Sequence, residues 1–333
     1  MDASSAYYFK RWQESNSLNM SAIIPKLLHD DVLNNYRDFC KKLVPLSSEE
    51  VLENYIHLLC DMNELPRFEK FFAHKKEDRR YLEIGSGFGF NLINAIQSGY
   101  NIVGIEPGKS IGFEDRFNLA LKLIEANGIS PANQYLYDMV AENLSHFENE
   151  TFDMVFSIAV LEHVRDIKKS LSEAQRVLKK QGIMYMNIPN YNSFFEGHYT
   201  MLWLPYVLLY KPFAKLYVRL RGRSDFFIDE LNFTTPSLID ALAHEVLKEG
   251  KYYILPHFDG WLGKFGFYYY FLRTDLPNNN AFLLFVRKKS WLKFLANGVV
   301  SVVVKMGMFL GLCKVFNLLY IKDEQGFKGR FYA

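Results

Sequence analysis

Cysteine is scarce in this chain. Cys40, Cys60 and Cys313 are scattered through 333 residues, with neither the close pairing of a zinc knuckle nor the even count of a secreted disulfide framework. That scarcity predicts a reducing, cytoplasmic setting. An excess of one charge is also missing: 39 basic residues against 37 acidic ones leave a net charge of +2, so no global nucleic-acid signature exists. The first residues include Asp2, Lys10, Arg11 and Glu14 without an apolar core, which predicts no secretory leader. His29, His57 and His74 lie far apart and lack companions that would make a metal site. The uninterrupted apolar run Met306–Cys313 is too short to span a bilayer.

What the chain does have is the stretch Tyr81-Leu82-Glu83-Ile84-Gly85-Ser86-Gly87-Phe88-Gly89. Apolar residues lead into three glycines at every second position, and helix-compatible residues follow, predicting strand, tight turn and helix start. Such a turn brings backbone close to a ligand, and the helix start offers unpaired N–H groups. The spacing is not Gly-x-Gly-x-x-Gly, which disfavours a dinucleotide oxidoreductase. A helix over 91–98 and an apolar strand over 101–105 then end at Glu106-Pro107-Gly108. In an open parallel sheet, an acidic residue at that position accepts hydrogen bonds from two ribose hydroxyls. Further units follow: a helix from Gly112 to Ala126, a strand over 134–137 ending at Asp138, and a buried-strand pattern from Phe152 to Ser157. A helix closing over 175–180 and Gly182, then a strand over 183–188, continue the alternation. This order predicts a doubly wound, Rossmann-like α/β domain with a mostly parallel seven-stranded sheet.

Tyr81–Gly89, Glu106, Ala141-Glu142-Asn143-Leu144 and Leu161-Glu162-His163-Val164 together resemble the class I S-adenosylmethionine-dependent methyltransferases, especially the ubiquinone-methylase-like subset. The match covers residues 75–190 well and reaches 288 loosely. The resemblance implies S-adenosylmethionine as cofactor. Glu83 and the backbone of Gly85, Gly87 and Gly89 would surround its methionine portion, and Glu106 its ribose. Members often carry an acidic residue just before the Ala-Glu-Asn-Leu-like segment, but this chain has Val140 there. Asp138 or Glu142 would compensate, with backbone near Ala141 reading the adenine edge and Ser157 at the end of its strand also facing the cofactor. His163 reads either as a proton acceptor or as an orienting residue.

Residues 190–234 form an insertion at the carboxyl edge of the sheet, where it can reach over the crevice. Asn190, Tyr191, Tyr199 and Trp203 are its expected acceptor-binding residues, and His198 is a second candidate base. The expected acceptor is a small molecule, a glycan or a lipid-linked intermediate, with O-methylation ahead of N-methylation and no metal. A cofactor-binding scaffold without catalysis is the non-enzyme alternative. Lys211, Lys215 and Arg219 share a predicted helix face suited to anionic lipid or phosphate, or merely to solvent. Residues 1–79 read as a helical preface, with Ser47 and Glu50 as a capping box before Leu52, Tyr55, Ile56, Leu59 and Met62 at helical spacing. Thr235-Pro236 starts another helix. Strands over 252–255 and 281–286 would then complete the sheet of a domain spanning 80–288. Residues 289–333 read as an apolar helical extension, suited to peripheral contact with the inner face of a membrane, to docking on the domain or to homodimerisation.

Overall fold

The computed structural model describes residues 26–43, 75–109, 115–257 and 288–323 continuously, together with isolated positions such as Ile24, Ile56, Phe68, Tyr268 and Val286. Ser47, Glu50, Gly112, Asp259, Trp261 and the 265–271 aromatic run apart from Tyr268 lie outside the described residues.

Seven strands form one sheet: β1 (Tyr81–Ile84), β2 (Ile102–Glu106), β3 (Leu136–Asp138), β4 (Phe152–Ile158), β5 (Leu178–Pro189), β8 (Gly250–His257) and β9 (Val315–Lys322). Their order is β3-β2-β1-β4-β5-β9-β8, and only β9 runs against the others. β1 to β5 form the parallel part, and the fold is the expected doubly wound one. The central strands read as nearly continuous apolar runs because helices cover both faces. One face carries α1 (Lys26–Leu43), α2 (Phe90–Gln97) and α3 (Arg116–Ala126), whose core includes Leu92, Leu123 and Phe156. The other carries α4 (Ile167–Val177), α6 (Pro236–Val246) and α7 (Ser290–Phe309), around Val155, Met184 and Phe316. Asp166 caps α4 by accepting from the Lys169 N–H, and Thr235 caps α6 through the Leu238 N–H.

Three expectations are corrected. The helix expected to close at Gly182 ends at Val177, and β5 begins at Leu178, where pairing with Phe152 extends the strand backwards. Phe285 and Val286 are helical, so the 281–286 run does not supply a strand at its described end. That place is taken by β9, inserted antiparallel between β5 and β8. The sheet therefore continues past residue 288, and residues 315–322 of the expected helical extension are a strand.

The insertion packs as a small unit of its own. Its β6 (Phe195–Glu196) and β7 (Met201–Leu202) make a hairpin, followed by α5 (Lys211–Leu220). Trp203, Tyr199, Ala214, Val218 and Phe227 form its core. Asn232 fastens it to the loop after β4: its backbone N–H donates to the Glu162 carbonyl at 2.7 Å and its Nδ2 to the Val164 carbonyl at 2.5 Å.

Candidate functional site

Strand order reverses between β1 and β4, and ligands of open α/β sheets bind outside the carboxyl ends at such a switch point. Gly85 follows β1 there with φ +75°, and a Cβ on it would stand 2.4 Å from Val160 Cγ2 on the loop after β4. Only glycine lets these two loops approach so closely. Gly89, with φ +80°, occupies the N-cap of α2. The Gly87 N–H donates to Glu106 Oε2 at 2.9 Å, so the carboxylate at the end of β2 and the glycine turn are joined directly. Glu83 is buried and accepts from Asn91 Nδ2 at 2.7 Å, which ties β1 to the first turn of α2.

Arg116, not singled out by the sequence, engages the other Glu106 oxygen through both Nε and a terminal nitrogen. Its signal was available as a cation ten residues after the carboxylate, but only the start of α3 brings it back to Oε1.

Residues 82–186 match the methyltransferase domain family model. Over that third of the chain the sequence is similar to a methyltransferase domain. A ubiquinone biosynthesis O-methyltransferase of Rhodopseudomonas palustris is 30% identical over 135 residues, which are 39% of this chain and 49% of that protein. An uncharacterised protein of Methanocaldococcus jannaschii is 29% identical over 167 residues, covering 48% of this chain and 64% of its own length. The chain thus spans about half the length of the first of these relatives. A solved methyltransferase from Archaeoglobus fulgidus superposes with a TM-score of 0.42 at 14% identity, covering 80% of this chain and 94% of that one, too loosely to carry an argument.

In the methyltransferase domain, the remaining expected cofactor residues divide. Asp138 closes β3 and accepts from the Gly108 N–H at 2.6 Å, beside the Glu106 turn. Glu142 is turned away from that turn: its Oε1 accepts from the Arg165 and Asp166 N–H groups at 2.5 and 3.2 Å, holding the approach to α4. Ala141 is buried in the core beneath the sheet, and the Ser157 hydroxyl donates to Met186 Sδ at 2.8 Å inside it. Glu142 Oε1 and the Ser157 hydroxyl are thus both engaged within the protein. A groove of about 460 Å³ beside β3, lined by Tyr137, Asp138, Val140 and Asn143 among others, includes none of Glu83, Gly85 or Glu106.

The two histidines, 35 positions apart, come together. His198 Nε2 lies 3.2 Å from His163 Nε2, and His198 Nδ1 lies 2.8 Å from Glu196 Oε1 and 3.4 Å from the Tyr191 hydroxyl. Phe227 packs against both imidazoles at 5.6 and 5.3 Å between ring centroids. Glu162 completes the group, fully buried, with Oε1 3.8 Å from His163 Nε2. Burial pushes the Glu162 carboxyl up to about 7, opposed by the His198 charge and by its own backbone N–H and reinforced by Glu196. His163 is held well below its ordinary value by its protein surroundings and by the charges of His198 and Arg116. One third of its ring reaches solvent, which tempers that depression. For His198, burial lowers the pKa, but the Glu196 and Glu162 carboxylates outweigh it and the net shift is upward. The Tyr191 phenol is raised well above its usual range by burial and by Glu196.

Contrary to the expectation of no metal cluster, Glu162, His163 and His198 bring one ligand atom each within 4.8 Å of one another, a donor set that could hold a divalent cation. The expected acceptor residues are all buried. Asn190 spends its amide internally, donating to the Cys313 carbonyl at 2.7 Å and accepting from the Asn192 N–H at 3.0 Å. Tyr199 and Trp203 are fully buried in the insertion's core. Tyr191 is buried as well, stacked on Phe233, with its hydroxyl at the histidine group. Glu162, Glu196 and Phe227 were missed because their role comes from the loop packing, not from local spacing.

Proposed function

We infer that this protein is an S-adenosylmethionine-dependent O-methyltransferase of a small molecule, a glycan or a lipid-linked intermediate. The observation that carries the reading is the glycine turn at the β1/β4 switch point, joined to the buried Glu106 carboxylate. The residues fit the cofactor: the side-chain-free backbone of Gly85, Gly87 and Gly89 would receive its methionine portion, and Glu106 its ribose hydroxyls, sharing Oε1 with Arg116. S-adenosylmethionine supplies an electrophilic methyl group when bound. The chain's own contribution is placement, exclusion of water and removal of the acceptor's proton.

His198 is the favoured base. Glu196 at Nδ1 orients the ring and stabilises the imidazolium that proton uptake creates, leaving Nε2 to exchange protons. His163 then serves as an orienting or relay residue. A paired histidine and carboxylate suit a hydroxyl acceptor, since a neutral amine needs no base before attack. The Rhodopseudomonas relative, a ubiquinone biosynthesis O-methyltransferase, agrees with an oxygen acceptor.

Titration calorimetry is expected to show S-adenosylmethionine or its demethylated product binding in preference to NAD; preferential NAD binding would sink the reading. Mass spectrometry of lipid, glycan and small-molecule extracts should find a cofactor-dependent methyl addition. His198→Ala should lower turnover by about a hundredfold or more while cofactor affinity holds. A folded, cofactor-binding protein that yields no product would instead be a scaffold. Turnover should survive chelation; its loss on chelation, with recovery on adding a divalent cation, would reassign Glu162, His163 and His198 to cation binding.

A further inference from the structure

The outer face of α7 is apolar apart from Lys305. Val300, Val304 and Gly307 are buried against the domain. At 100° per residue, Trp291, Phe294, Val299, Val302, Met306 and Phe309 fall on the opposite side, and each is more than half exposed. Phe294 is 78% exposed. A second apolar strip lies on α5, where Phe213, Leu216 and Leu220 recur at helical spacing and are likewise exposed. Tyr206, in the segment before α5, packs on Phe309 at 5.8 Å and donates its hydroxyl to the Phe309 carbonyl at 2.8 Å, which ties the insertion to the end of α7. Soluble monomers rarely leave large apolar surfaces open.

We propose that this composite face docks on the surface of an anionic lipid bilayer, with α7 lying in the plane of the interface. Charge selects that occupant. No Asp or Glu occurs between Asp275 and Asp323, whereas Arg287, Lys288, Lys289, Lys293, Lys305 and Lys314 do; Lys322, in the same stretch, is buried and pairs with Glu150 and Glu249. An apolar stripe bordered by cations inserts at the headgroup level and draws anionic lipid.

Topology excludes a spanning orientation. The 20 residues of α7 would cover about 30 Å, enough to cross the hydrocarbon layer. Yet its inner face is docked in the core, and β9 follows within a few residues, paired between β5 and β8. Both ends of the helix stay on the domain's side. The basic row of α5 is not what faces the bilayer, because Lys215 and Arg219 are paired with Asp229 and Asp225. Because the α5 strip belongs to the insertion that carries His198, the acceptor side would face the lipid surface. That last step rests on the methyltransferase reading; the docking itself does not.

The test is co-sedimentation of the full chain with phosphatidylglycerol-containing vesicles and with pure phosphatidylcholine vesicles. Binding to the anionic vesicles should be at least tenfold stronger. Phe294→Asp with Val302→Asp, and separately Phe213→Asp with Leu220→Asp, should each reduce it at least tenfold, with thermal unfolding and cofactor affinity unchanged. Undiminished binding by both pairs would overturn the proposal. So would absence of vesicle binding, whether the chain is monomeric or forms a dimer that Phe294→Asp with Val302→Asp dissociates. Because cofactor affinity is read by calorimetry on the same samples, failure of docking and failure of the methyltransferase reading are distinguishable.

Discussion

Glu162 shows what a single residue costs and supplies here. Its carboxyl is fully buried, and its pKa rises from 4.5 to about 7, so the folded protein prefers the protonated form. A group raised in the folded state gives stability that is complete below its unfolded pKa and disappears as pH climbs through the folded one. The window is therefore about pH 4.5 to 7, and the shift corresponds to about 3 kcal/mol. Glu162→Gln should be close to neutral at pH 4 and should stabilise by up to about 3 kcal/mol at pH 8, as read by denaturant unfolding at the two pH values. His198 gives a second pH signature. A base works only when deprotonated, so turnover should rise with pH through a value above the ordinary 6.5. Glu196→Gln removes the carboxylate that holds the value up and should move the profile to lower pH; an unmoved profile would remove His198 from that role. At Gly85, alanine would meet Val160 at 2.4 Å with φ +75° unrelieved. Cofactor affinity should fall at least tenfold by calorimetry, with a stability loss of about 1–3 kcal/mol from backbone strain.

Among the elements, β9 is the one whose importance the sequence disguised. Leu318, Tyr320 and Ile321 are buried within the sheet, and Asn317 Oδ1 accepts from both the Tyr185 hydroxyl and Asn187 Nδ2 at 2.8 Å. A chain ending at residue 288 would expose the edges of β5 and β8 and should be recovered only as aggregate. Soluble, cofactor-binding protein from that truncation would refute the placement of β9. The strand was missed because the apolar run over 290–320 has no strong break before it: Gly311, with φ +69°, is the punctuation, and it comes one residue after the 20 helical ones, past the Leu310 cap. The glycine turn, by contrast, was legible at residue level. Gly85, Gly87 and Gly89 all have positive φ, a local requirement that the amino acids themselves announce.

In the whole molecule, two polar groups lie toward the carboxyl end of the parallel strands. Glu106 and Arg116 stand at the end of β2 and the start of α3, His163 on the loop after β4, and His198 in the β6–β7 hairpin of the insertion. Arg116 is near enough for its charge to lower the His163 pKa. Hydrogen exchange should respond accordingly. Adding S-adenosylmethionine should slow exchange at residues 85–89 and 159–163 and leave β8 unchanged; protection confined to the insertion would place the cofactor elsewhere.

The sequence by itself determined the parallel half of the sheet, the glycine turn and the carboxylate at the end of β2, because each is written in neighbouring residues: apolar runs, positive-φ glycines, a strand-end acid. Only tertiary structure decided which polar groups are available for chemistry. Asn190, Glu142 and Ser157 carry suitable atoms but spend them on carbonyls, amides and a sulfur supplied largely by distant segments, whereas His198, held by nearby Glu196, meets His163 from 35 positions back along the chain. Hydrogen-bond partners at such separations leave no periodicity in the residues that they join.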